Sequence, residues 1–177
     1  MKKWKLVNSK TLLDTKWLTV EQNDYDTGGG VIKKDYYDLK RPDYLLIIGR
    51  NKAGHIILER QYRRGVNEVL WELPAGWINK DESPVQAAER ELREETGYQG
   101  KGKLLGVMVA QPGFMNMRAY VVEVEITGEG ALDFEHDENI QKKSVPVKKV
   151  KDMIRKGEIV DMGFISAVNL FLLKKQN

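Results

Sequence analysis

Three carboxylates, Glu91, Glu94 and Glu95, stand three and four residues apart in one short stretch. On a helix such residues are mutual neighbours, and like charges so placed are unfavourable by roughly 0.2–0.5 kcal/mol per pair. They also crowd a helix C-terminus, where the dipole favours cations. Local rules broken together concentrate at functional sites. A divalent cation would convert this repulsion into coordination. The chain has no cysteine and only two histidines, His55 and His136. Metal chemistry would therefore be carboxylate chemistry, with a hard cation such as Mg²⁺ or Mn²⁺. The competing reading is a solvated acidic face, partly neutralised by Arg90 and Arg93.

The flanking residues predict the helix. Ser83 suits the N-cap, Pro84 the first helical position, and Gln86 completes a capping box. Gly97 suits the left-handed position that ends a helix. The expected helix runs from Pro84 to Thr96. Val85, Ala88 and Leu92 share one stripe and face the core, and the three glutamates fall on the adjacent stripe.

The whole stretch has the form G-x5-E-x7-R-E-U-x-E-E-x-G-U, filled by Gly76, Glu82, Arg90, Glu91, Leu92, Glu94, Glu95, Gly97 and Tyr98. It resembles the Nudix box, the signature of hydrolases acting on nucleoside diphosphates linked to another moiety. Tyr98 departs mildly, standing where an aliphatic residue is usual. The resemblance implies an α/β/α Nudix sandwich with a mixed sheet, in the α+β class. It implies that Glu91 and Glu95 bind the metal most directly, and that Glu94 contributes directly or through water. The backbone carbonyl of Ala75 or Gly76 adds a ligand, while Glu82 and Arg90 orient the others. Metals at such a site neutralise the diphosphate and activate water for in-line attack on phosphorus.

Beyond the box, the chain resembles the ADP-ribose pyrophosphatase branch. Gln61-Tyr62-Arg63, Glu72-Leu73-Pro74-Ala75-Gly76 and Gln111-Pro112-Gly113 carry this resemblance. The branch usually shows Ser-Pro-Gly where this chain has Gln111-Pro112-Gly113. The expected reaction is Mg²⁺-dependent hydrolysis of ADP-ribose to AMP and ribose 5-phosphate. The alternative is another nucleoside diphosphate sugar, such as GDP-mannose. In this branch a glutamate from a later acidic loop acts as general base or adds a metal contact. Glu138 in Glu138-Asn139-Ile140 is the first candidate and Glu135 the second. By the same resemblance Arg63 lies near phosphates or the terminal ribose, and Trp17 stacks on the adenine. Glu72 binds or orients a polar group, Trp77 covers the site, and Gln111, Pro112 and Gly113 form a substrate loop.

These residues need a scaffold, and the pattern along the chain supplies one. Short strands are expected at Trp17 to Val20 and Val31 to Leu39, separated by the turn signal Asp26-Thr27-Gly28-Gly29-Gly30. Further strands are expected at Tyr44 to Ile48, His55 to Tyr62, Val69 to Leu73, Leu104 to Val109, Ala119 to Ile126 and Asn139 to Val147. Apolar spacing of three and four predicts helices at Val150 to Lys156 and Ile165 to Lys175. Residues 1–40 are expected to form a small β element for dimerisation and substrate contact, and residues 41–177 the hydrolase domain.

The 177 residues are 41% hydrophobic and 31% charged, the balance of a globule. No apolar run approaches the roughly 20 residues of a membrane span. The basic N-terminus has no apolar stretch behind it, so a cytoplasmic protein is expected. The net charge of +3 gives no pointer to nucleic acid, but its division is informative. Residues 81–95 and 133–138 together carry −8, leaving +11 elsewhere, which suits an anionic substrate around an acidic, metal-filled centre. The branch resemblance also implies a homodimer. A non-catalytic nucleotide sensor is disfavoured by the intact box glutamates, and an RNA-end hydrolase by the lack of a basic, aromatic-lined groove.

Overall fold

A computed structural model describes residues 2–129 and 140–176. Ten strands and three helices are assigned among these residues. They are β1 (Lys5–Asp14), β2 (Thr19–Asp26), β3 (Ile32–Lys40), β4 (Tyr44–Arg50), β5 (His55–Arg63), β6 (Glu68–Glu72), β7 (Ala75–Trp77), α1 (Pro84–Thr96), β8 (Tyr98–Val109), β9 (Arg118–Glu129), β10 (Gln141–Pro146), α2 (Val147–Arg155) and α3 (Met162–Lys175). The chain divides into two compact units: residues 1–43 with 109–118, and residues 44–108 with 119–177.

The first unit is an antiparallel sheet in the order β1-β2-β3. Segment 109–118 lies along β3. The Leu39 amide donates to the Phe114 carbonyl at 2.7 Å, and the Asn116 amide returns a bond to Leu39 at 3.2 Å.

The second unit carries the mixed sheet, in the order β10-β5-β4-β9-β8. β4 runs parallel to β9, and β10 antiparallel to β5. β4 and β5 pair only near their turn, at Arg50 and Ile56. Farther along they diverge, and β6 fills in against β5 while β7 fills in against β4. The Ile47 amide donates to the Pro74 carbonyl at 2.9 Å, which fixes the link between β6 and β7.

Successive side chains of a strand point to opposite faces. Leu45 and Ile47 of β4 pack with Ala87, Ala88 and Leu92 of α1. Leu46 and Ile48 pack with Val150 and Met153 of α2 and Phe164 and Val168 of α3. The sheet is thus covered on both faces, which is why β4 reads as an unbroken apolar run. This is the expected α/β/α sandwich, and α1 spans the predicted residues. Several expectations shift. The strand expected from Trp17 begins at Thr19, so Trp17 precedes it. β1 and β7 were not expected, β8 starts six residues early, and α2 and α3 each start three residues early, at Val147 and Met162.

Candidate active site

The site is built on α1 and the strand before it. The Ser83 hydroxyl accepts the Gln86 amide at 3.3 Å, and the Gln86 side chain accepts the Ser83 amide at 3.0 Å. At the other end Gly97 has φ 74° and donates its amide to Arg93. β7 lies against the inner face of this helix. A Cβ at Gly76 would overlap the carboxylate of Glu91, so any larger residue would displace that side chain. The Ala75 amide donates to Glu95 Oε2 at 3.2 Å. Backbone of the box and carboxylates of the helix therefore meet directly.

Arg90 ties the cluster together. Its Nε and Nη2 grip both oxygens of Glu82 at 2.9 and 3.0 Å. Nη2 also donates to the Trp77 carbonyl at 3.1 Å. Nη1 bridges Glu91 Oε1 at 2.8 Å and Glu94 Oε2 at 2.9 Å. The hydrogen bond from Arg90 holds the Glu82 carboxyl below its ordinary pKa, and the same pair holds the guanidinium above its own. Glu91 shifts the other way. Burial pushes its carboxyl up, and Arg90 only partly opposes this.

Beside the box glycine lies a cavity of about 250 Å³, lined by Tyr44, Arg63, Glu72, Gly76, Trp77 and Asp161 among others. Arg63 Nε donates to Glu72 Oε2 at 2.7 Å. Burial raises the Glu72 carboxyl despite Arg63, and the charge of Asp161 adds to the rise. The rings of Tyr44 and Trp77 lie 6.4 Å apart across the wall. Asp161 was not singled out from the sequence. It caps α3, accepting the Phe164 amide at 2.6 Å, and an aspartate just ahead of the apolar helical run was the available signal.

One unit thus brings together Ala75, Glu91, Glu94, Glu95, Arg90, Glu82, Arg63, Glu72 and Trp77. Trp17, Gln111, Pro112 and Gly113 belong to the other unit. Trp17 is about half exposed there, with Lys16 Nζ 4.6 Å from its ring centroid. Gln111 has φ 49°, and its carbonyl accepts the amides of Phe114 and Met115 in a tight turn. The same unit holds an aromatic cluster that sequence reasoning missed. The Trp4 and Tyr36 rings meet edge to face at 5.6 Å, and Tyr25 lies 5.8 Å from Tyr36. Glu135 and Glu138 lie outside the described residues.

The donor set fits a hard divalent cation. Every candidate ligand is an oxygen, and Nη1 of Arg90 shows that Glu91 and Glu94 can share one positive charge. A cation there would also favour the buried anion of Glu91. Among the described residues no three acidic or imidazole side chains converge on a single point. The arrangement accordingly has Arg90, rather than a third carboxylate, at the centre.

Comparison with known proteins agrees with this architecture. The NUDIX domain pattern matches residues 40–163. An ADP-ribose pyrophosphatase of Bacillus subtilis (strain 168) is 28% identical over 141 residues, 77% of this chain and 76% of that protein. An ADP-ribose pyrophosphatase of Mycobacterium tuberculosis is 30% identical over 146 residues, 80% of this chain and 69% of that protein. A crystal structure of an ADP compounds hydrolase superposes with a TM-score of 0.88 at 24% identity, covering 100% of this chain and 97% of the other. The box, the sandwich that carries it and these matches show that the chain belongs to the Nudix hydrolase family.

Proposed function

We propose that this protein hydrolyses the diphosphate bond of ADP-ribose to AMP and ribose 5-phosphate, with Mg²⁺ as the working cation. The observation that carries this is the meeting of Gly76 with Glu91 and of Ala75 with Glu95, beside the cavity lined by Arg63, Glu72 and Trp77. ADP-ribose pyrophosphatases among the relatives support the choice of substrate.

Nudix hydrolases need a divalent cation. When bound, it supplies positive charge to the diphosphate and acidifies the attacking water. Glu91, Glu95, Glu94 and the Ala75 carbonyl would hold it. Arg90 keeps Glu91 and Glu94 oriented and keeps Glu82 clear of them. Arg63 binds a phosphate oxygen through its guanidinium, a reading its ion pair with Glu72 supports. Trp77 and Tyr44 offer apolar walls to the substrate. Glu138, or else Glu135, takes the proton of the attacking water. The water oxygen bonds to one phosphorus, the bridging P–O bond breaks, and the bridging oxygen leaves with the departing phosphate. Trp17 stacks on the adenine, and Gln111, Pro112 and Gly113 shape the substrate loop.

The protein works as a cytoplasmic homodimer on small nucleotide sugars, without nucleic acid or membrane. Residues 1–40 contribute dimerisation and substrate contact, and residues 41–177 the catalytic domain. A panel of ADP-ribose, ADP-glucose, GDP-mannose, NADH and diadenosine polyphosphates with Mg²⁺ tests the substrate. Preferential turnover of ADP-ribose is expected, and preferential turnover of GDP-mannose would reassign the specificity.

A further inference from the structure

The last turn of α1 carries Glu94 and Glu95, and several contacts hold it, the bond from Arg90 to Glu94 among them. The Gly97 amide closes onto the Arg93 carbonyl. The Ala75 amide reaches Glu95, itself a candidate metal ligand. A further contact comes from a residue outside the box: Lys142 Nζ of β10 donates to the Thr96 carbonyl at 2.6 Å.

Its placement is specific. Thr96 is buried, and its carbonyl is one of those a helix end leaves without an internal partner. The dipole at that end is negative, and the clustered glutamates add to it. Arg93, the basic residue of the last turn, is exposed. Lys142 also sits opposite Glu59 in the β10–β5 register, and Glu59 sits opposite Glu72 in the β5–β6 register. Directly opposed residues in antiparallel strands share a face. Ile57, two positions before Glu59, belongs to the α1 core cluster, so this row faces α1. Lys142 thus brings a positive charge to a row that holds the fully buried Glu59.

We propose that Lys142 is a positioning residue of the metal site: by anchoring the Thr96 carbonyl it holds the last turn of α1, and with it Glu94 and Glu95, in place for the cation. This rests on the assignment of the α1 glutamates to the metal. The sign of the effect separates positioning from simple charge. A lysine near a divalent cation repels it, so loss of charge alone would tighten metal binding. Loss of an anchor weakens it.

The experiment titrates Mn²⁺ alone into the metal-free full-length protein, followed by electron paramagnetic resonance. Lys142→Met is expected to weaken Mn²⁺ binding about tenfold, the size seen when outer partners of metal ligands are lost. Lys142→Arg, which keeps a donor and a charge, should stay within about threefold of the parent. Lys142 is exposed, so both variants should fold; melting curves without metal check this. Unchanged or tighter Mn²⁺ binding in Lys142→Met overturns this inference alone. Failure of the unaltered protein to bind Mn²⁺ overturns the metal assignment and this inference with it.

Discussion

Arg90 and Glu91 are adjacent in sequence, yet the fold treats their charges in opposite ways. The Glu82 carboxyl sits below its ordinary pKa because Arg90 grips both its oxygens. Its stabilising contribution is present above the unfolded value of about 4.3 and is lost as pH falls through the folded value. Glu82→Gln should therefore flatten the acid limb of the stability curve, measured by thermal melting from neutral to acidic pH. An unchanged limb would contradict the pairing. For Glu91 the sign reverses. Its carboxyl is raised by burial, so the folded state binds the proton more tightly than the unfolded chain. Stability falls as pH rises from the ordinary carboxylate range through the raised value, and the cost persists at neutral pH. Glu91→Gln should melt higher than the parent in chelator at neutral pH, while kcat falls by at least about 10²-fold. A variant that melts lower in chelator would show that the contact with Arg90 outweighs burial.

At the scale of elements, the loop–helix junction is the sensitive part. Gly76→Ala would force a methyl group into the Glu91 carboxylate. The expected result is a folded protein with kcat down by about tenfold or more, since small misplacements of reacting groups cost on the order of 10² in rate. Steady-state kinetics beside circular dichroism would check this, and full activity would refute the close approach. Leu92 is fully buried between α1 and the sheet, so Leu92→Ala should cost about 2–5 kcal/mol in denaturant unfolding. α1 was legible to the residue because its capping box, first-turn proline and terminal glycine are all local signals. β7 was not, because it is three residues long and exists only through pairing with β4. β1 escaped notice because it is exposed throughout and lacks the apolar alternation of a half-buried strand. The charges of the site were legible as a cluster. That Arg90 would stand between Glu91 and Glu94 was not, since side-chain direction depends on how β7 closes over the helix.

The whole molecule adds what no local pattern contains. Segment 109–118 lies far from β3 in sequence but belongs with it, through the bonds between Leu39, Phe114 and Asn116. The Gln111-Pro112-Gly113 turn was recognisable; its partner strand was not. The three-stranded sheet leaves Leu6, Leu12, Leu13 and Ile32 each about half exposed. Apolar surface of this kind suits an interface. Light scattering at low micromolar concentration should give twice the 20.3 kDa of one chain, and a clean 20.3 kDa species would contradict the proposed homodimer.

The central claim is that the α1 glutamates support metal-dependent cleavage of ADP-ribose. Its most direct measurement is the time course of AMP and ribose 5-phosphate release from ADP-ribose with Mg²⁺, for the parent and for Glu95→Gln. Equal release of both products by the parent, none in chelator, and a rate at least about 10²-fold lower in the variant is the predicted result. Undiminished turnover by Glu95→Gln, or no cleavage by the parent with Mg²⁺ or Mn²⁺, would contradict it.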